Sequence, residues 1–582
     1  MIPLSENALK TLESRYLRRN LKRQLVENAD DLFMRVAKAV AEAELEWGPR
    51  GEVEKWQNMF YESMRNLLFL PNSPTLMNAG TSLNQLSACF VLPIEDNMDS
   101  IFTTLKQAAL IQQSGGGTGF NFSKLRPKND LISITGGEAS GPVSFMRVYN
   151  AATEYVKHGG KRRGANMGIL NVDHPDIEEF ISSKKDENTL NNFNISVGIH
   201  DRFMRAVEAD GLWNLVHPNS KSKVKTTKAK NLWKLIVESA WLCGDPGLVF
   251  LDTINASNPL LALGEIECTN PCGEVPLLPY ESCNLGSINL SKFVELERGK
   301  NIINFTRLGS TIEMAIRFLD NVIEVNHYLL PETKAIVSSN RKIGLGLMGW
   351  AELLIMLEIP YESEEALILA AKLMDFCKEK SIEASVQLAK KRGVFKNWEK
   401  SVFYPGIRLR HATRLSLAPT GTISIIAGTS SSIEPLFAIA YRRNNVLNGN
   451  TLSETNHLFI DYLKKNKLYS EALIEEVKET GYLQHIKQLP AALKNIFKTA
   501  LEISPAWHLK HQVTFQKYVD NAVSKTINLP ETATIDDVNQ TYMNAWRKKA
   551  KGITIFRYNS KDKQVLEQGI SGGVKACRVC IN

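Results

Sequence analysis

From Pro71 onward the chain changes texture, and that change limits what it can fold into. Short apolar runs are punctuated by Gly, Asn, Pro and Ser, as in Ser114-Gly115-Gly116-Gly117-Thr118-Gly119 and Lys161-Arg162-Arg163-Gly164-Ala165-Asn166. Stretches with helical character alternate with these runs at 231–242, 311–329 and 364–392. Such alternation specifies an α/β architecture, because connecting helices must cover the apolar faces of the sheet they link. Before Pro71 the reading is helical: apolar residues recur at three- and four-residue spacing over 30–47, and the Ala-rich 36–43 has high helix propensity. No internal repeat is visible.

A chain of 582 residues has room for several ordinary domains or for one large α/β barrel with appendages. With 43% apolar and 23% charged residues, it has the balance of a globular enzyme with a large core. No apolar run approaches the roughly 18 residues that span a bilayer. Met1-Ile2-Pro3-Leu4-Ser5-Glu6 has neither a basic start nor an apolar signal core, so a cytoplasmic location is expected. The net charge of +8 fits phosphorylated substrates and fits a solvated surface equally well. Eight irregularly spaced cysteines do not form a disulfide framework; they read as core, metal-binding or redox thiols. The polar region 450–498 reads as a helical insertion. The polar end beyond about 560, closing in Cys577-Arg578-Val579-Cys580, holds too little apolar surface to offset the entropy of ordering it.

The chemistry concentrates in Thr269-Asn270-Pro271-Cys272-Gly273-Glu274, with Cys283 eleven residues beyond Cys272. Alternate side chains share a face on extended backbone, and Pro271 with Gly273 favours a tight turn. An amide, a thiol and a carboxylate would then converge on one small volume. Taken singly, each cysteine is a small buried hydrophobe. Taken together, the segment resembles the catalytic loop of the ribonucleotide reductase large-subunit family.

That resemblance implies a ten-stranded α/β barrel: two five-stranded parallel halves, antiparallel to each other, around a central finger loop. It places an N-terminal helical domain at 1–70, the barrel at 71–560 and a redox tail at 561–582. It makes Cys272 the radical cysteine, Glu274 the acceptor of a hydroxyl proton, Asn270 the holder of the ribose hydroxyls, and Cys89 with Cys283 the pair that supplies two electrons. Cys577 and Cys580 become the shuttle that reopens the resulting disulfide, itself served by a thioredoxin or glutaredoxin-type partner. A lone CxxC could also be half a zinc site, but no second CxxC or suitable His pair lies nearby. Cys243, Cys268 and Cys377 match no family role.

Pro419-Thr420-Gly421-Thr422-Ile423 resembles the family's substrate-phosphate loop, where backbone N–H groups, hydroxyls and a permissive Gly make an anion nest. Ser73, Ala88 and Gly117 border the substrate by the same similarity. Gly344-Leu345-Gly346-Leu347-Met348-Gly349 spells a dinucleotide fingerprint, but polar, basic sequence precedes it instead of a buried strand, and it resembles a barrel motif of the same family. The loops 136–141 and 159–167 resemble the specificity loops that bind a nucleoside triphosphate effector at a homodimer interface. Lys161, Arg162 and Arg163 would be the effector's basic contacts, with Asp96 and Asp99 near its ribose; a solvated basic loop is the alternative.

Within the family, class I chains take their radical from a metal-bearing subunit through two adjacent tyrosines, and none of the 15 tyrosines here neighbours another. The segments 520–530 and 550–558 resemble the adenosylcobalamin-dependent class II enzymes. That cofactor is expected to bind without a histidine ligand, since no Asp-x-His-x-x-Gly motif occurs. The expected activity is reduction of ribonucleotides, as diphosphates, to deoxyribonucleotides. The rivals are a class I large subunit and a nucleic-acid-binding protein with a C-terminal zinc knuckle; the thinly spread charge argues against the second. No direct nucleic-acid or membrane partner is expected.

Overall fold

Two sets of parallel strands organise the chain in this computed structural model, which describes residues 4–132, 136–158, 162–186, 188–447, 450–561 and 566–570. The first set runs β1 (Cys89–Val91), β2 (Gly117–Asn121), β3 (Asn166–Asn171), β4 (Phe193–Ile199) and β5 (Gly247–Phe250), each parallel to the next. The second contains β6 (Ser282–Asn289), β7 (Ile343–Met348), β8 (Thr526–Leu529) and β9 (Gly552–Arg557). Between β7 and β8 lies the segment 413–417, joined to both sides by the parallel bridges Leu345–Leu415 and Leu417–Val523. The sets meet antiparallel at two seams, where Cys89 faces Cys283 and Leu248 faces Ile553. The ring is therefore closed, with five members in each half, and closure leaves its strands without free edges. The expected barrel is present.

Sequence explains the strand texture. Every residue of β6 and β7 is buried; most are apolar or small, and the two buried amides of β6 are hydrogen-bonded, Asn284 Nδ2 donating to the Leu319 carbonyl at 2.7 Å and Asn289 Nδ2 to the Ala427 carbonyl at 3.4 Å. In β7 a Cβ on Gly346 would lie 2.4 Å from the Ser416 carbonyl oxygen, so only glycine admits the neighbouring segment at that point. The fingerprint-like glycines thus serve barrel closure.

Helices Glu6–Arg15, Ala29–Ala41 and Arg50–Arg65 form the N-terminal region and share one core with Phe305–Val325 and Glu364–Arg392. A second core packs Ala229–Cys243 and Ile535–Arg547 against β2, β4 and β5. Two expectations need correction. The region 450–498 opens as a strand, Asn450–Thr455, paired with Ala440–Leu447 before its helices His457–Lys465, Glu471–Thr480 and Ala491–Ile496 begin. The polar end also contributes a strand, Leu566–Gln568, which adds to Tyr441–Arg443 because that edge already offers backbone partners. Among the described residues no helix is long and apolar enough to cross a membrane.

Candidate active site

The finger is a two-residue ladder, Cys268–Thr269 against Pro276–Leu277, with 270–275 as its tip. Both halves of the barrel grip it. On the first half, Gly119 of β2 lies so close that a Cβ there would sit 1.9 Å from the Thr269 carbonyl oxygen. Asn194 of β4 donates from Nδ2 to the Pro271 carbonyl at 2.7 Å. On the second half, Ser416 Oγ donates to the Glu274 carbonyl at 2.8 Å and the Ala522 N–H donates to the same oxygen at 2.9 Å. The tip turns at Gly273, whose φ of +79° suits glycine and whose N–H donates to the Asn270 carbonyl at 3.0 Å. A hairpin held from both sides fixes its tip residues in the barrel interior.

Asn270 organises that tip. Its Nδ2 donates to Glu274 Oε2 at 2.8 Å and to Cys89 Sγ at 3.1 Å, while its Oδ1 accepts from the Val275 N–H at 3.0 Å. Asn270, Glu274, Cys89 and Cys283 are all buried, whereas Cys272 is exposed at the tip. Burial pushes the Glu274 carboxyl up to about 7, with the Asn270 hydrogen bond offsetting part of the rise. A carboxyl poised there can both take and return a proton near neutrality. The Cys89 thiol is pushed well up, first by burial and then by the nearby Glu274, Cys283 and Cys272. Burial raises the Cys283 thiol too, against a pull from the Lys342 ammonium, which is itself paired with Glu281 at 2.6 Å. Both thiols therefore hold their protons at neutral pH. Directly opposed residues on antiparallel strands have Cα atoms about 4.5–5.5 Å apart, within the roughly 4.4–6.8 Å that a disulfide requires.

The loop 419–423 follows directly from the segment that holds the finger. Thr420 turns it with a φ of +54°, and its Oγ1 accepts from the Ser432 N–H at 2.8 Å. A Cβ built on Gly421, or on Gly273 at the finger tip, would meet nothing within 4 Å, so both positions border open space. Ala88 and Gly117 sit beside Cys89 and Cys283: the Gly117 N–H donates to the Ala88 carbonyl at 2.8 Å, and the Ala88 N–H donates to the Cys283 carbonyl at 3.2 Å.

Residues 87–408 and 406–556 match the ribonucleotide reductase barrel domain, and residues 3–84 match the ribonucleotide reductase all-alpha domain. The chain belongs to the ribonucleotide reductase large-subunit family. It is 54% identical over 514 residues to a vitamin B12-dependent ribonucleoside-diphosphate reductase of Thermoplasma acidophilum, spanning 88% of this chain and 66% of that relative. A protein of the same description from Mycobacterium tuberculosis is 49% identical over 566 residues, covering 97% of this chain and 81% of the relative. The fold also matches an Actinobacillus ureae class Id ribonucleotide reductase alpha subunit, with a TM-score of 0.78 at 24% identity over 96% of this chain and 97% of that one.

Other residues expected to act in this reductase fold are more scattered. Ser73 opens the short helix Ser73–Asn78 and its Oγ lies 2.7 Å from the Tyr16 hydroxyl. Asp96 is engaged within the chain, accepting from Arg126 Nε at 2.8 Å and from Asn219 Nδ2 at 2.7 Å. Asp99 is exposed in the first turn of helix Met98–Gln113. The backbone of Arg162–Arg163 pairs with Lys157–His158 in a small hairpin. Lys161, Cys577 and Cys580 lie outside the described residues. Cys243, Cys268 and Cys377 are buried. Asn194 and Ser416, which grip the finger, escaped the sequence reading; so did Arg15 and Tyr16, which meet the loop and Ser73 from the far end of the chain. No local spacing announces such contacts.

Proposed function

We propose that this chain is a class II reductase that converts ribonucleoside diphosphates to 2′-deoxyribonucleoside diphosphates, using adenosylcobalamin. The observation that carries this reading is the joint setting of Cys272, Asn270, Glu274, Cys89 and Cys283 around one finger tip. Cys272 removes the ribose 3′ hydrogen atom, and Glu274 accepts the 3′-hydroxyl proton. The 2′-hydroxyl leaves as water with a proton from the Cys89–Cys283 pair. The pair gives two electrons and its second proton to the sugar, closing to a disulfide, and Cys272 returns its hydrogen to C3′. In balance, one C–O bond becomes C–H, two thiols become one disulfide, and water departs. Asn270 orients both Glu274 and Cys89, so the proton acceptor and the electron donor are set by one amide.

The exposed Cys272 thiol and the open space beside Gly273 fit a cofactor that must reach the finger tip. When bound, adenosylcobalamin supplies by cobalt–carbon homolysis the oxidising equivalent that Cys272 needs. The class II assignment is supported by the names of the relatives at 54% and 49% identity, and by the absence of adjacent tyrosines from the sequence.

The reading also includes nucleoside triphosphate effectors, a cytoplasmic setting, a homodimer, and a Cys577–Cys580 shuttle recharged by a thioredoxin-like protein. For the dimer, helices Met98–Gln113 and Pro142–Tyr155 lie side by side, joined by Tyr149 Oη donating to the Ile101 carbonyl at 2.6 Å. They expose Met98, Phe102, Leu110, Val148 and Tyr155, a surface that a second copy would cover. The test is an assay of the purified chain with CDP or CTP, adenosylcobalamin and a dithiol, without a second protein. Formation of dCDP is expected; an absolute need for a metal-bearing subunit would overturn the class assignment.

A further inference from the structure

We infer that Asn194, on strand β4, is a positioning residue for the Cys272 thiol: its side-chain amide sets the direction in which the finger tip presents that sulfur. This deepens the proposed function and rests on its assignment of hydrogen abstraction to Cys272.

Strand alternation puts Asn194 where it can do this. Phe193, Ile195 and Val197 pack into the core beneath the helices, so Asn194 faces the barrel interior. It is the only exposed residue of β4. There its Nδ2 donates to the Pro271 carbonyl at 2.7 Å. The ring of the same proline is seated from β2, where a Cβ on Gly117 would lie 3.0 Å from Pro271 Cγ. Strands β2 and β4 thus hold the ring and the carbonyl of the residue just before Cys272.

Backbone geometry turns that grip into aim. The proline ring fixes φ of Pro271, and the peptide joining it to Cys272 is planar. The soft torsion left ahead of Cys272 is ψ of Pro271, and rotation about it swings the Pro271 carbonyl. A hydrogen bond to that oxygen holds the torsion, and with it the place of the Cys272 Cα. Folding has little need of the bond: Asn194 is exposed, so water can replace its amide at small cost. Hydrogen transfer does need it, because reacting atoms must approach to about 3–3.5 Å and a misplacement of about 1 Å costs on the order of 100-fold in rate.

The test compares Asn194→Leu, similar in size and without a donor, with Asn194→Gln, which keeps one. In the full chain with adenosylcobalamin and a dithiol, Asn194→Leu should lower kcat for CDP about 10- to 100-fold. Its equilibrium binding of CDP should stay within about twofold of the parent, and its Tm within about 2 °C. Hydrogen exchange read by mass spectrometry should quicken in the finger peptide 268–277 and stay unchanged in the rest of the barrel. Asn194→Gln should recover part of the lost kcat. Parent-like kcat in Asn194→Leu would overturn the assignment. So would parent-like exchange in the finger, or a CDP affinity that falls in step with kcat, the mark of a direct substrate contact. An inactive parent chain would count against the radical reading alone, because the exchange measurement needs no turnover and still decides whether Asn194 holds the tip.

Discussion

Asp320 and Glu274 are both carboxylates removed from water, and the protein treats them in opposite ways. Burial pushes the Asp320 carboxyl up, but Arg341, His411 and Arg410 outweigh that effect and hold it well below the usual carboxylate range. Arg392 adds a contact at 2.6 Å, His411 one at 3.0 Å and Arg410 one at 3.2 Å. Glu274 has a neutral amide for company, and its carboxyl rises to about 7. The first arrangement ties helix Phe305–Val325 to the chain around Arg392 and Arg410, and so to the frame of the barrel. The second keeps a proton exchangeable at neutral pH, which is a property of chemistry and not of scaffolding. Compensation by cations separates the carboxylate held ionised from the one whose proton can exchange near neutrality.

The contrast can be attacked from its largest consequence downward. Cys272→Ser should abolish dCDP formation while CDP binding stays near normal; retained multiple turnover would remove the radical cysteine from the account. Cys89→Ser or Cys283→Ser should also stop repeated turnover, because no two-electron donor remains beside Glu274. Asp320→Asn leaves three guanidiniums without their shared anion, and a loss of about 3–5 kcal/mol, read from chemical denaturation, is expected. Since its folded pKa is depressed, this contribution is present above the unfolded value and fades only as pH falls through the folded one.

Glu274 should behave in the reverse sense. Its folded pKa is raised from 4.5 to about 7, so the ionised form opposes folding. Relative to Glu274→Gln, the parent should gain about 2–3 kcal/mol of stability as pH falls from about 8 to about 5. Its kcat/KM should rise with pH through about 7, as the proton acceptor becomes available. A flat stability difference would place Glu274 in solvent-like surroundings and dissolve the comparison. The smallest effect concerns the end of the chain: removal of 571–582 should slow turnover driven by thioredoxin and spare turnover driven by a small dithiol.

Local signals were the legible ones. Helix Glu364–Arg392 has the bounds its sequence suggests, because Ser363 caps its start and Gly393, at φ +84°, ends it. The sequence places another helix at 311–329, whereas that helix runs Phe305–Val325, capped by Asn304. The finger was legible because amide, thiol and carboxylate occupy alternate positions in one short segment. Contacts of long range were not. Glu44 receives Arg317 and Arg392 from 273 and 348 residues away, and nothing near Glu44 in sequence foretells either. Strands Asn450–Thr455 and Leu566–Gln568 were missed for the same reason, since polar segments become strands only beside a partner edge.

The most direct test of the central claim follows one hydrogen. The purified chain, adenosylcobalamin and a dithiol are mixed with CDP deuterated at C3′, and the product is examined by mass spectrometry and NMR. The account predicts slowed turnover, dCDP that keeps deuterium at C3′, and no product from Cys272→Ser. Formation of dCDP by Cys272→Ser at the parent rate would contradict it.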